Sequence, residues 1–280
     1  MKSIKYFLAF SLCITQNNMM TCANYRAGYG SNADELNYED MNIYQKEKSR
    51  RILFGKIALH HASKENRTWI IKFLIATGSD INARDLFGET PLHVAARCNS
   101  PEAASLLIKH GADINANNSY KQTPLHSACH SEFPEIADLL IENGADINAR
   151  DWVEDTPLHL TADYKFPKLA HLLIEYGADC NAKNYNGSTP LHRACHSNSP
   201  EIVDLLIEND ADVNAKEGYY KYIPLHYAAR NNSPEIISLL IENNADINAK
   251  DDTGNIPAKL CSTKKCRNLF AKYAAAQAVK

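Results

Sequence analysis

The sequence predicts an all-α solenoid with β-hairpin loops, built from about seven stacked units of which the outer two are caps. Three observations carry that expectation. Thr-Pro-Leu-His occurs four times, at residues 90–93, 123–126, 156–159 and 189–192, each copy 33 residues after the one before. Leu-Leu-Ile recurs at 106–108, 139–141, 172–174, 205–207 and 239–241. It is followed by Gly-Ala-Asp-Ile-Asn-Ala or a near copy, as at 111–116 and 144–149. A fixed period of this length marks one supersecondary unit stacked on copies of itself, so the core runs between neighbours and the working surface is extended rather than a single cleft.

The first helix of each unit starts at Pro91, Pro124, Pro157, Pro190 or Pro224. Proline suits the first turn, where its missing N–H would be unsatisfied anyway and its fixed φ is already helical. The Thr before the first four of these prolines supplies an N-cap oxygen. Pro224 comes 34 rather than 33 residues after Pro190 because the hairpin at 216–222 holds one extra residue, an insertion that loops accept cheaply. Ile57-Ala58-Leu59-His60 lies in phase before the perfect copies, and Ile256-Pro257-Ala258-Lys259 after them. Ala95 and Ala96 keep the first helix thin.

The second helix opens on Ser-Pro-Glu at 100–102, 199–201 and 233–235, which reads as an N-cap, a proline and an acid at the positive helix end. Phe133 and Phe166 replace that serine in two units, predicting the loss of a cap worth about 1 kcal/mol in each. Ile202, Leu205 and Leu206, spaced i, i+3, i+4, predict one buried stripe. Between the two helices Asn99, Asn198 and Asn232 can adopt the left-handed conformation, which Glu132 and Lys165 adopt only at a cost. The third and fourth units are therefore expected to be locally weaker. In the last unit Lys272, Tyr273 and Ala274 replace the Leu239, Leu240 and Ile241 columns and Lys259 replaces the histidine, as a solvent-facing cap requires. At the other end, a helix within 41–55 is expected to cover Ile70, Phe73, Leu74 and Ile75.

These motifs resemble the ankyrin repeat, with Thr-Pro-Leu-His opening the first helix, an apolar face on the second and a Gly-Ala-Asp turn into a hairpin, over residues 50–275. The resemblance implies a non-enzymatic module that binds a protein partner through its hairpin tips and the concave face of the first helices. At the tips stand Phe87, Tyr120, Trp152, Tyr185, Tyr219 and Tyr220, and large rings are enriched in binding hot spots. Bracing of adjacent hairpins by the same rings is the alternative. On the first helices two columns vary: Val94, Ser127, Leu160, Arg193, Tyr227, and Arg97, His130, Asp163, His196, Arg230. Leu160, Tyr164, Arg193 and Tyr227 complete the candidate partner-binding set.

A net charge of −3 offers no basic footprint for nucleic acid, and no run of 18 apolar residues is present to span a bilayer. Residues 1–23 resemble a secretory signal peptide, with Lys2 and Lys5, an apolar run at 6–14 and Thr21-Cys22-Ala23 around a cleavage after Ala23. A lipoprotein anchor at Cys22 and an uncleaved cytoplasmic chain are the alternatives. Residues 24–49 form an N-terminal segment and 276–280 a tail. The combination is similar to exported ankyrin proteins of host-associated bacteria, and a monomer is expected.

The column His60, His93, His126, His159, His192 and His226 is not a metal ladder. Stacked helices lie about 8–10 Å apart, whereas zinc sits about 2 Å from each ligand nitrogen. The pairs His126/His130 and His192/His196 enclose Cys129 and Cys195 but lack the glutamate of a metalloprotease helix. No catalytic residue, metal or cofactor is expected. Cys129 and Cys195 read as free thiols serving as small apolar residues, and Cys261 and Cys266, placed on one helix, are expected to face apart and stay unbridged.

Overall fold

Seven helix pairs follow one another through residues 57–278, the residues that the computed structural model describes. The chain divides into residues 1–51 and 52–280, and the described residues belong to the second part. The expected signal peptide, the 24–49 segment and the covering helix at 41–55 fall outside the described residues. First helices run over 57–64, Pro91–Arg97, Pro124–Cys129, Pro157–Tyr164, Pro190–Ser197, Pro224–Arg230 and Pro257–Leu260. Their second helices are Thr68–Ala76, Pro101–Lys109, Pro134–Glu142, Pro167–Glu175, Pro200–Glu208, Pro234–Glu242 and Lys264–Ala278. All 11 prolines of the chain open a helix, so proline sets the register of the repeat rather than breaking it.

The buried stripe on the second helix differs from the expected one. Ile202, Val203 and Leu206 are fully buried while Leu205 is half-buried. Ala103/Ala104/Leu107, Ile136/Ala137/Leu140 and Leu169/Ala170/Leu173 repeat this i, i+1, i+4 pattern. The second helix is wedged between its own first helix and neighbouring second helices, so two adjacent columns are enclosed and the third lies at the margin.

The serine caps also differ. Ser100, Ser199 and Ser233 occupy the N-cap position with no side-chain cap bond. Ser100 Oγ instead donates to the Lys64 carbonyl at 3.1 Å. The preceding unit caps this helix, since Asn66 Oδ1 accepts the Ala103 N–H at 2.8 Å. Phe133 and Phe166 consequently give up no cap, and their rings pack against the core. The inter-helix loops behave as expected: Asn66, Asn99, Glu132, Lys165, Asn198 and Asn232 all hold a positive φ, between 52° and 62°.

Each tip is a tight turn closed by backbone bonds, such as Asn118 N–H to the Gln122 carbonyl at 2.9 Å with Lys121 N–H to the Asn118 carbonyl at 3.0 Å. Single bonds also link one tip to the next, as in Ser119 N–H to Phe87 and Trp152 N–H to Tyr120. No strand forms among the described residues, because these bonds close turns and do not continue into a ladder. A side-chain ladder runs beside the tips: Oδ1 of Asn82, Asn115, Asn148, Asn181 and Asn214 accepts the backbone N–H of Asp113, Asp146, Asp179, Asp212 and Asp246 of the following unit.

Cys261 and Cys266 are joined by a disulfide, contrary to the sequence expectation, with their Cα atoms 5.8 Å apart. The two residues do not share a helix. Cys261 ends the short helix Pro257–Leu260 in extended backbone, and the chain turns before Lys264 starts the last one. Cys129, Cys180 and Cys195 are buried free thiols and Cys98 is half-buried. In the final unit Lys259, Lys272 and Ala274 are exposed, and the last helix extends through Ala278 into the segment expected to be a tail.

Candidate binding surface

The histidine column fixes the tips to the helices. In each of the units opening at Thr90, Thr123, Thr156 and Thr189, the histidine Nδ1 accepts the Thr backbone N–H at 3.1–3.2 Å and lies 2.8–2.9 Å from the Thr hydroxyl. Nε2 reaches the carbonyl that ends the next tip, as in His93 to Gln122 at 2.9 Å, His126 to Asp155 at 3.2 Å and His192 to Tyr222 at 3.1 Å. A carbonyl only accepts, so Nε2 carries the proton and Nδ1 is the acceptor. Burial holds His93, His126, His159, His192 and His226 below the usual imidazole range, and His126 and His192 fall to about 4. With both ring nitrogens engaged, His126 and His192 have none left for a metal. Burial also pushes the Cys129 and Cys195 thiols up, which leaves them inert.

This frame presents the aromatic residues at the tips. Phe87, Tyr120, Trp152, Tyr185, Tyr219 and Tyr220 are all exposed, from 45% for Tyr120 to 80% for Tyr185. Their rings are not isolated. Tyr120 and Trp152 meet edge to face with centroids 6.1 Å apart, across two units. Tyr219 lies against Tyr220 at 4.7 Å, and Tyr220 against Tyr222 at 5.5 Å. The extra residue of this tip thus gathers three tyrosines, the inner one stacked on His226 at 5.0 Å.

The helix columns are less uniform than the sequence suggested. Val94, Ser127 and Leu160 are buried, and Leu160 belongs to the core cluster, which removes it from the candidate surface. Arg193 and Tyr227, at the same position in the next two units, are half-buried, and Tyr164 is exposed. Tyr164 contacts His130 at 5.2 Å and stacks on Phe166 at 5.9 Å. Arg193 is clasped by two carboxylates, Nη2 to Asp155 Oδ2 at 3.0 Å and Nη1 to Asp163 Oδ2 at 2.9 Å. Tyr227 donates its hydroxyl to Glu217 Oε2 at 2.9 Å, and its ring meets His196 at 5.4 Å and Tyr222 at 5.3 Å.

Asp155 and Glu217 are the members of this surface that the sequence did not single out, whereas Asp163 stood in a variable helix column. Glu217 was detectable: it stands where the other tips carry Asp or Asn, in the one tip with an additional residue. Among the described residues no group of three His, Cys, Asp or Glu side chains is arranged to hold a metal ion, and no helix is long and apolar enough to cross a membrane.

The family pattern described as ankyrin repeats (3 copies) matches residues 59–151 and again 158–251, two thirds of the chain. The chain belongs to the ankyrin repeat family. Ankyrin repeats are protein–protein interaction modules, and the fold is a binding scaffold. Among solved structures, the human ASB11 ankyrin repeat domain is similar at 26% identity with a TM-score of 0.68, covering 77% of this chain and 96% of that one. The ankyrin repeat domain of Bcl-3, described as a unique member of the IkappaB protein family, is similar at 26% identity and a TM-score of 0.68, covering 76% and 97%. No curated protein sequence matches the chain.

Proposed function

We infer that this ankyrin protein is an exported, non-enzymatic binding protein that engages a protein partner with its aromatic tips and the adjoining concave helix face. The exposure of a large ring at every internal tip carries the reading. Aromatic side chains present much contact area while losing little rotamer freedom, and clustered rings on a rigid frame form the centre of many interfaces. Arg193, Tyr164 and Tyr227 extend that surface onto the first helices.

Export is supported by two features. The composition of residues 1–23 follows the order of a signal peptide. The Cys261–Cys266 bridge suits a chain that passes through an oxidising compartment. N-terminal sequencing of the native protein tests it: a start near Asn24 supports export, and an intact Met1 favours a cytoplasmic scaffold.

The binding reading is tested with Trp152→Ala combined with Tyr220→Ala. Exposed substitutions change stability by less than about 0.5 kcal/mol, whereas a hot-spot ring contributes about 2 kcal/mol or more, roughly thirtyfold in affinity. A captured partner titrated with wild type and variant should show that loss at an unchanged melting temperature. Earlier melting with unchanged affinity would make the rings braces rather than contacts.

A further inference from the structure

Five of the tips share a side-chain cap. Asp85, Asn118, Asp151, Asn184 and Asp251 each turn Oδ1 back to accept the backbone N–H groups two and four residues on, at 2.7–3.0 Å. Glu217 stands at the same place in the sixth tip, with a longer side chain and a longer loop, and the turn is closed by its backbone N–H to the Tyr222 carbonyl at 3.0 Å. Its carboxylate is thereby released from the turn. Oε2 accepts from Tyr227, but Oε1 is buried with no partner, although the residue is only 6% exposed. Burial pushes this carboxyl above its usual range. A buried carboxylate oxygen without a donor is costly, and nothing in the tip's own geometry requires it.

Its surroundings compound the imbalance. Asp155 and Asp163 take both terminal nitrogens of Arg193, and Glu217 lies within electrostatic reach of the same guanidinium. Asn184 also donates to Asp155 at 2.7 Å. Arg193 Nε is unpartnered as well. Three carboxylates therefore share one fixed cation, and the ring of Tyr227, which holds Glu217, packs against His196 and Tyr222. The Asp163 side chain remains 29% exposed. A cation arriving there would gain charge-assisted hydrogen bonds.

We propose that this site takes the cationic head of a basic side chain, arginine or lysine, from the protein partner, which pairs with Glu217 Oε1 and Asp163. The proposal rests on the reading of the chain as a protein-binding module and names what that partner carries. Oε1 is enclosed in the free protein, so the pair forms when the Glu217 side chain turns outward.

The test uses Nα-acetyl-arginine N-methylamide, its lysine counterpart and, as a neutral control, the norleucine counterpart. Carboxyl carbon NMR of the whole labelled protein should show saturable shifts at Glu217 and Asp163 with one or both basic probes and none with norleucine. Dissociation constants near 1 mM, on the order of 4 kcal/mol, suit one contact by a small probe. Glu217→Gln should weaken binding at least about fivefold, while Glu201→Gln on the far face should not. Glu217→Gln should also melt at or above the wild-type temperature, since it removes an unmatched charge. Equal shifts with norleucine, no saturable shift with either basic probe, or equal affinity in the Glu217 and Glu201 variants would overturn the proposal. So would a fall in melting temperature for Glu217→Gln, which would mean that a water between Oε1 and Arg193 Nε already satisfies the carboxylate. None of these outcomes touches the tip-ring experiment, so the two readings fail separately.

Discussion

Acid should unfold this protein through its histidines. Five of them are fully buried with both ring nitrogens bonded, so the folded state holds them neutral while the unfolded chain protonates them near pH 6.5. Their folded values are lowered, so the unfolded state binds more protons between the two values, and stability is present above about pH 6.5 and lost as pH falls towards 4. For His126 and His192, which fall from 6.5 to about 4, the linkage integral gives about 2 kcal/mol each at pH 5, or about 4 kcal/mol together. Each also adds about 1.4 kcal/mol per pH unit to the slope within the window. Asp151, Asp163 and Glu217 act the other way. Burial raises them, so the folded state retains protons that the unfolded chain has released, and they favour folding as pH falls through their own lower window. Urea melts at pH 7.5, 6.5, 5.5 and 5 measure the net slope. A slope shallower than that of a single histidine between pH 6 and 5 would refute the assignment of the column as buried neutral imidazole.

Three further outcomes follow from the packing. Leu206→Ala, in a fully buried central position, should cost about 2–5 kcal/mol, and Leu269→Ala, half-buried in the last unit, clearly less; equal losses in denaturant melts would contradict nearest-neighbour stacking. Lys165→Gly should raise stability by about 0.5 kcal/mol or more, because the φ of 62° penalises a side chain, and a loss would show that the lysine stem is packed. Replacing Cys261 and Cys266 together by Ser should cost about 2 kcal/mol from the closed short loop, confined to faster amide exchange in Lys264–Ala278; unchanged exchange there would mean that the bridge does not hold the cap.

The repeat, its phase and its left-handed loops were legible because each rests on a local constraint: proline at a helix start, asparagine at positive φ, a leucine that recurs with the period. What escaped were bonds between units. Ser100 looks like a cap in isolation, yet it donates to Lys64 while Asn66 caps its helix, a pairing 37 residues apart. Leu160 looks like a variable surface residue because its column contains Arg193, yet it is buried in the core cluster. Cys261 and Cys266 looked separated because helix geometry was extended across a turn that breaks it.

Departures from the repeat mark the proposed partner-specific part of the molecule. A repeat position that follows the pattern is explained by stacking, so its identity says little about binding. Departures that stacking does not require are different, and they gather around one place: Arg193 where Val94 and Leu160 are buried, Glu217 where the other tips use Asp or Asn, and the extra residue before Tyr222. Together they leave two polar atoms unpaired near the half-buried rings of Tyr222 and Tyr227. A fold that satisfies its other tips with a short side chain and leaves this one unsatisfied has given up local stability at that point, and such a departure is expected where a surface has been shaped for a ligand rather than for its neighbours.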